Sequence, residues 1–175
     1  MRRLVYSVAA SLDGFIAGPK GEYDWIVQDP AFDFVALWER FDTLLMGRRT
    51  YEVAIQRLDF LTSMGKKIVV ASTTLDPAKV PEITILAGNL ADAVAKLKAD
   101  PGANPGKDIW LMGGGALFRA MLDAGLVDSV EVAVSPVLLG GGVPLIPVGR
   151  RHTLHLSESK TLPSGILTLK YGVNA

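Results

Sequence analysis

Ile109-Trp110-Leu111-Met112-Gly113-Gly114-Gly115-Ala116-Leu117-Phe118 is the stretch whose reading decides the fold. Four apolar residues in a row, ended by glycine, read as a strand buried on both faces, and such strands belong to parallel sheets covered by helices. The triplet then turns the chain. Leu117, Phe118, Met121 and Leu122 make a helical stripe, closed by Gly125 where a helix end turns left-handed. Strand, glycine turn, helix is a building unit of α/β proteins.

Outward from it, apolar runs at 4–10, 43–46, 67–71, 83–86, 129–137, 152–157 and 166–171 read as further strands. Phe34, Leu37, Trp38 and Phe41 fall at i, i+3, i+4 and i+7, the spacing of one helical face. Leu90, Val94 and Leu97 repeat that spacing behind a capping Asn89. Strands and helices alternate early, and only strands follow residue 128. The pattern predicts one α/β sandwich domain over 1–175, its sheet of about eight strands mostly parallel with an antiparallel C-terminal edge.

Composition narrows the function. Lys plus Arg and Asp plus Glu each number 18 among 175 residues, a formal net charge of zero. That balance disfavours holding nucleic acid or anionic lipid by bulk charge. At 49% hydrophobic and 21% charged, the chain can bury a sizeable core. There is no cysteine, which excludes disulfides, thiolate metal sites and cysteine nucleophiles. Met1-Arg2-Arg3 before an apolar run superficially matches a signal peptide, but Tyr6 and Ser7 interrupt the run and Asp13 soon follows it. It reads better as a first strand. No apolar run approaches the ~20 residues of a membrane span.

Three strand ends carry chemistry. Gly113-Gly114-Gly115 before a helix lets a phosphate approach the backbone, yet equally suits close helix–sheet packing. It is neither a Rossmann fingerprint nor a P-loop. Gly47-Arg48-Arg49-Thr50 follows the strand at 43–46 and offers two guanidinium forks suited to a dinucleotide 2′-phosphate, the plainer reading being solvated arginines on a turn. Ser72-Thr73-Thr74 adds hydroxyls after 67–71. α/β folds place ligands along such an edge, and the three together indicate a dinucleotide.

Read as a set, these motifs resemble the dihydrofolate reductase fold, a three-layer sandwich. Ala9-Ala10-Ser11-Leu12-Asp13-Gly14, Asp24-Trp25 and the run from Pro136 to Leu145 more closely resemble the reductase domain of the bifunctional riboflavin-biosynthesis deaminase-reductase, here standing alone. The resemblance implies an NADPH-dependent reductase, cytoplasmic and homodimeric. Gly47, Arg48, Arg49 and Thr50 would hold adenosine phosphates, with Ser72 near the 2′-phosphate. Gly113, Gly114, Gly115, Ala116 and Leu117 would lie under the pyrophosphate and nicotinamide half. Ser11, Asp13 and Trp25 would face the substrate, a small heterocycle or ribosylaminopyrimidine. The chain departs from the riboflavin pattern where Gly-Arg-Arg-Thr-Tyr-Glu replaces an Asp-Pro pair with its downstream arginine. It departs from the folate pattern because Asp29 and Asp33 miss the expected spacing from Gly47.

Hydride transfer needs alignment and a proton supply, which a carboxyl of raised pKa or a water it positions can provide. Asp13 is the first candidate, although Asp-Gly is also a strong turn pair. Asp29 is the second, with a helix N-cap before Pro30 as the alternative. Asp33 suits only first-turn contacts of the first helix. Trp25 could wall a flat ring or simply fill the core. Gly140-Gly141-Gly142 reads as a bend with an open role. His152 and His155 would face opposite sides of a strand, so no metal is expected. The competing readings are a true dihydrofolate reductase and a catalytically silent dinucleotide-binding module.

Overall fold

Alternation along the first strand sets the layers. In β1 (Leu4–Ser11), Leu4, Tyr6 and Ala10 enter one core while Val5 enters another on the opposite face. The computed structural model describes residues 1–102 and 106–173, the side chains of 57–59 excepted. The remaining strands are β2 (Phe15–Ala17), β3 (Phe41–Gly47), β4 (Lys67–Ala71), β5 (Thr84–Leu86), β6 (Asp108–Gly113), β7 (Ser129–Ser135), β8 (Val143–Pro144), β9 (Leu154–Thr161) and β10 (Leu167–Val173). The helices are α1 (Phe34–Glu39), α2 (Arg48–Ala54), α3 (Leu58–Ser63), α4 (Leu90–Ala99) and α5 (Gly115–Asp123).

Eight strands form one sheet in the order β5-β4-β3-β6-β1-β7-β10-β9. All pairings from β5 to β7 are parallel, and β10 pairs antiparallel with both β7 and β9. The expected α/β sandwich with an antiparallel C-terminal edge is present. On one face, Val94 and Leu97 of α4 and Leu117, Phe118, Met121 and Leu122 of α5 pack on Leu45, Val69, Ile109, Leu111, Val130 and Val132. The Tyr6 ring stacks on Phe118 at 3.8 Å. On the other face, Leu44, Met46, Ile68, Val70 and Trp110 lie under Tyr51 of α2, Leu61 of α3 and Leu37 and Trp38 of α1.

Several boundaries differ from expectation, each for a local reason. Phe41 was expected on the first helix, but α1 ends at Glu39 and Phe41 opens β3 opposite Asp108, its ring 5.2 Å from Trp110. Pairing into the sheet prevails over helical spacing there. β7 stops at Ser135 because Pro136 has no N–H for the ladder. β9 begins at Leu154 rather than 152 and continues through polar residues to Thr161, held by pairing with β10 rather than by apolar pattern. β2 and β8 pair in a small second sheet and are too short for periodicity to reveal. Asn89 caps α4 as expected, accepting from the Asp92 N–H. Gly125, at φ +69°, follows α5 in the left-handed conformation anticipated for it.

Candidate active site

β3 and β6 are neighbours, yet β3 feeds α2 on one face and β6 feeds α5 on the other. Helices leaving adjacent parallel strands to opposite faces open a crevice at the carboxyl edge, where α/β sheets receive ligands. Register aligns the three anticipated strand ends there: Met46 lies opposite Gly113 and Gly47 opposite Ala71. A Cβ on Gly47 would sit 3.8 Å from Gly113 O and Gly114 N. A Cβ on Gly113 would lie 3.7 Å from Thr50 Oγ1. Gly47, Thr50, Gly113 and Gly114 therefore meet in one narrow place, and the Gly113–Gly114 peptide is cis. Gly114 caps α5 without a side-chain hydrogen bond, leaving first-turn amides for another acceptor.

The cationic side of the crevice is built across two elements. Arg48 Nε pairs with Glu52 Oε1 at 2.9 Å, and Arg48 Nη1 donates to Thr74 Oγ1 at 2.6 Å. Ser72 Oγ accepts from the Thr74 and Leu75 N–H groups at 3.2 and 3.1 Å. Arg48 and the hydroxyl turn after β4 thus form a single cluster. Arg49 is exposed and has no ion pair among the described residues. Ala116 and Leu117 lie in the first turn of α5, with Leu117 buried in the core. Gly115 is fixed by packing, since a Cβ would meet Pro144 O at 2.6 Å.

Asp13 lies just beyond the end of β1. It accepts from the Ser11 hydroxyl at 2.6 Å and from the Leu139 and Gly140 amides at 3.1 and 2.7 Å. The Ser11 hydroxyl first, then those amides, hold its carboxyl below the ordinary aspartate range. The raised pKa expected of a proton donor is reversed, because a carboxylate that accepts three donors is stabilised in its charged form. Asp29 is likewise depressed, by Ser164 first and then by the Ala31 amide. Its oxygens accept from Ala31 N and Ser164 N, each at 2.8 Å, which ties the loop before α1 to the β9–β10 turn. Asp29 caps no helix; Asp33 caps α1, accepting from Ala36 N at 2.8 Å. Trp25 donates its indole N–H to Glu22 O at 3.0 Å. His152 precedes β9 and lies 2.7 Å from Asp123 Oδ1. Among the described residues no cluster is suited to a metal ion.

On the α1 face lies a cavity of about 460 Å³. Past β1 this face is covered by α1 and the irregular segment before it. Farther along, Ser7 and Ala9 of β1, Ala133 and Ser135 of β7 and Thr168 of β10 form a floor roofed by the irregular segment 26–33 and α1. Arg40 clasps Glu131 with two bonds of 2.8 Å at one end. Asp29 lines this cavity, whereas Ser11, Asp13 and Trp25 do not. Arg40, Glu131, Ser135 and Lys160 belong to no motif named above. A signal existed: Ser129, Glu131, Ala133 and Ser135 alternate with valines, marking a small and polar second face.

The similarities of the chain point the same way. It is 34% identical over 186 residues to "Uncharacterized protein YyaP" of Bacillus subtilis strain 168, covering 99% of this chain and 96% of that protein. It is 25% identical to the riboflavin biosynthesis protein RibD of Corynebacterium ammoniagenes, over 83% of this chain but 46% of that one. A crystal structure from Shewanella sp. PV-4, of a protein named for riboflavin biosynthesis, superposes with a TM-score of 0.76 at 29% identity, covering both chains fully. The RibD C-terminal domain model matches residues 2–168. The chain belongs to the RibD C-terminal domain family.

Proposed function

We propose that the protein is an NADPH-dependent reductase that delivers hydride to a small heterocycle held in the cavity beside α1. The observation that carries this reading is the crevice between β3 and β6, where Gly47, Thr50, Gly113 and Gly114 converge beside Arg48 and Ser72. The residues fit the cofactor: glycines allow close backbone approach, uncapped α5 amides suit a pyrophosphate, and two arginines suit a 2′-phosphate. When bound, a reduced nicotinamide supplies the hydride. Arg48 is held in place by Glu52 and Thr74, while Arg49 is free to reach a phosphate. Gly115 lets the start of α5 pack against the Pro144–Leu145 backbone, while Ala116 is exposed beside it and Leu117 anchors the turn in the core.

Asp13 serves as a positioning residue. Its carboxylate fastens the 139–140 backbone over the end of β1, beside Ser11. Asp29 borders the cavity and, being ionised, can orient an N–H or a water but does not hand over its own proton. Trp25 belongs to the loop ahead of the cavity roof. A homodimeric, cytoplasmic enzyme of riboflavin biosynthesis is part of the same proposal.

The test is NADPH fluorescence titration of wild type and of the Arg48→Ala/Arg49→Ala double variant. Loss of two charge-assisted contacts should weaken NADPH roughly tenfold to a hundredfold while leaving NADH nearly unchanged. Unchanged NADPH affinity would remove the phosphate assignment. Tight binding with no turnover of dihydrofolate or ribosylaminopyrimidine would favour a silent binding module.

A further inference from the structure

We infer that the cavity beside α1 selects an uncharged, flat heterocycle and rejects a phosphorylated one, with the Ser135 hydroxyl fixing the ring. The inference rests on reading that cavity as the substrate site. Three independent features carry it.

Charge comes first. Four carboxylates line the cavity, those of Asp29, Asp33, Glu131 and Glu158. Three cations oppose them, and two are already committed. Arg40 has both terminal nitrogens on Glu131, and Lys170 Nζ lies 2.8 Å from Glu158 Oε2. Lys160 alone has no carboxylate bonded to it among the described residues, so the lining carries one net negative charge. A phosphomonoester brings a further charge of about −1.5 to −2 at neutral pH, more than the single uncommitted cation, Lys160, can balance in a lining that is already net negative. The N-terminus of α1, at the cavity, is occupied by the Asp33 carboxylate. Arg49, which has no ion pair among the described residues, lies outside this lining, in the first turn of α2.

Shape comes second. Ser7, Ala9, Ala133 and Ser135 present side chains no larger than a hydroxymethyl group, which leaves a flat floor on adjoining strands. Phe32 and Leu37 are among the apolar roof residues. A flat floor under an apolar roof suits the two faces of an aromatic ring.

The third feature is an orphaned hydroxyl. Ser135 is 1% exposed and its Oγ has no hydrogen-bond partner. Its neighbour in register, Ser11, is fully engaged, donating to Asp13 and accepting from Phe15 N at 2.9 Å. Buried hydroxyls are normally bonded, and one left without a partner destabilises the fold. A ring heteroatom or carbonyl entering the cavity supplies the missing partner once the hydroxyl turns among its staggered positions.

The experiment is calorimetric titration of the full chain with two probes, 5-amino-6-(ribosylamino)uracil and its 5′-phosphate. The nucleoside should bind at least about tenfold more tightly than the phosphate. Ser135→Ala should weaken the nucleoside about fivefold to tenfold, raise the melting temperature of the unliganded protein, and leave NADPH affinity unchanged. Equal or tighter binding of the phosphate overturns the inference. So does failure of both probes to bind, or an unaltered nucleoside affinity in Ser135→Ala. Failure to bind NADPH with nucleoside selectivity intact would instead sink the reductase reading and leave this one standing.

Discussion

Asp29 shows how a single carboxylate can be structural while lining a cavity. It is 6% exposed, and its two oxygens tie segments 135 residues apart. Because its folded pKa is depressed, its contribution to stability is fully present above the ordinary aspartate pKa. That contribution is lost as pH falls through the folded value. Asp29→Asn should therefore melt below wild type at neutral pH, with the gap closing on acidification. Thermal melts from about pH 7 to pH 3 check this, and a gap that stays constant would show that the bonds do not depend on charge. Asp13 follows the same sign with different partners, since its carboxylate clasps backbone amides of one exposed loop.

At the scale of elements, the two glycine triplets prove unlike. Gly113–Gly115 ends β6 and opens α5 at the crevice, so its glycines serve approach and packing together. In the second triplet the individual positions differ. Gly140 donates its amide to Asp13, and Gly142, at φ +149°, lies where any Cβ would run into the Ala17 carbonyl of β2. Gly141 has nothing within 4 Å and an unremarkable φ. Gly142→Ala should destabilise by about 1–3 kcal/mol through forced separation of β2 and β8. Gly141→Ala should stay within about 0.5 kcal/mol of wild type. Urea denaturation of the pair distinguishes a packed closure of the small sheet from a free loop, in which both variants would be neutral.

Across the whole molecule, the sheet divides two tasks at its carboxyl end and along one face. Helices leaving β3 and β6 in opposite directions make the crevice, and α1 with the irregular segment 26–33, spanning residues of β1, β7 and β10, makes the cavity. Arg40 holds the boundary, its guanidinium reaching from the end of α1 to Glu131 on β7 with side-chain exposures of 34% and 10%. Arg40→Ala leaves a buried carboxylate unpaired and should cost roughly 2–3 kcal/mol, below the range for fully buried pairs because Arg40 is partly solvated. Replacing both residues, Arg40→Met with Glu131→Leu, should recover most of that loss in urea titrations. Failure to recover it would assign the cost to packing of the arginine stem.

The layers and the crevice were legible because burial imposes a period. Strands covered on both faces must be apolar at every position, helices must show one stripe, and glycine must stand where backbones approach closely. Leu44 to Gly47 and Ile109 to Gly113 declare all of this locally. β2 and β8 were not legible, being shorter than any period, nor was the shift of Phe41 from helix to strand, which only pairing with β6 decides. The cavity lay further out of reach. Glu131 reads as a solvated position on an alternating strand, and Lys160 as an edge charge. Their true environment depends on where α1 packs and on a loop folding back from residues 26–33. The sequence by itself determined the α/β layers and the glycine- and hydroxyl-bearing strand ends, because those follow from local periodicity and backbone sterics. Only the tertiary structure decided the charge and shape of the substrate-sized cavity, because these arise from residues more than a hundred positions apart meeting across one sheet face.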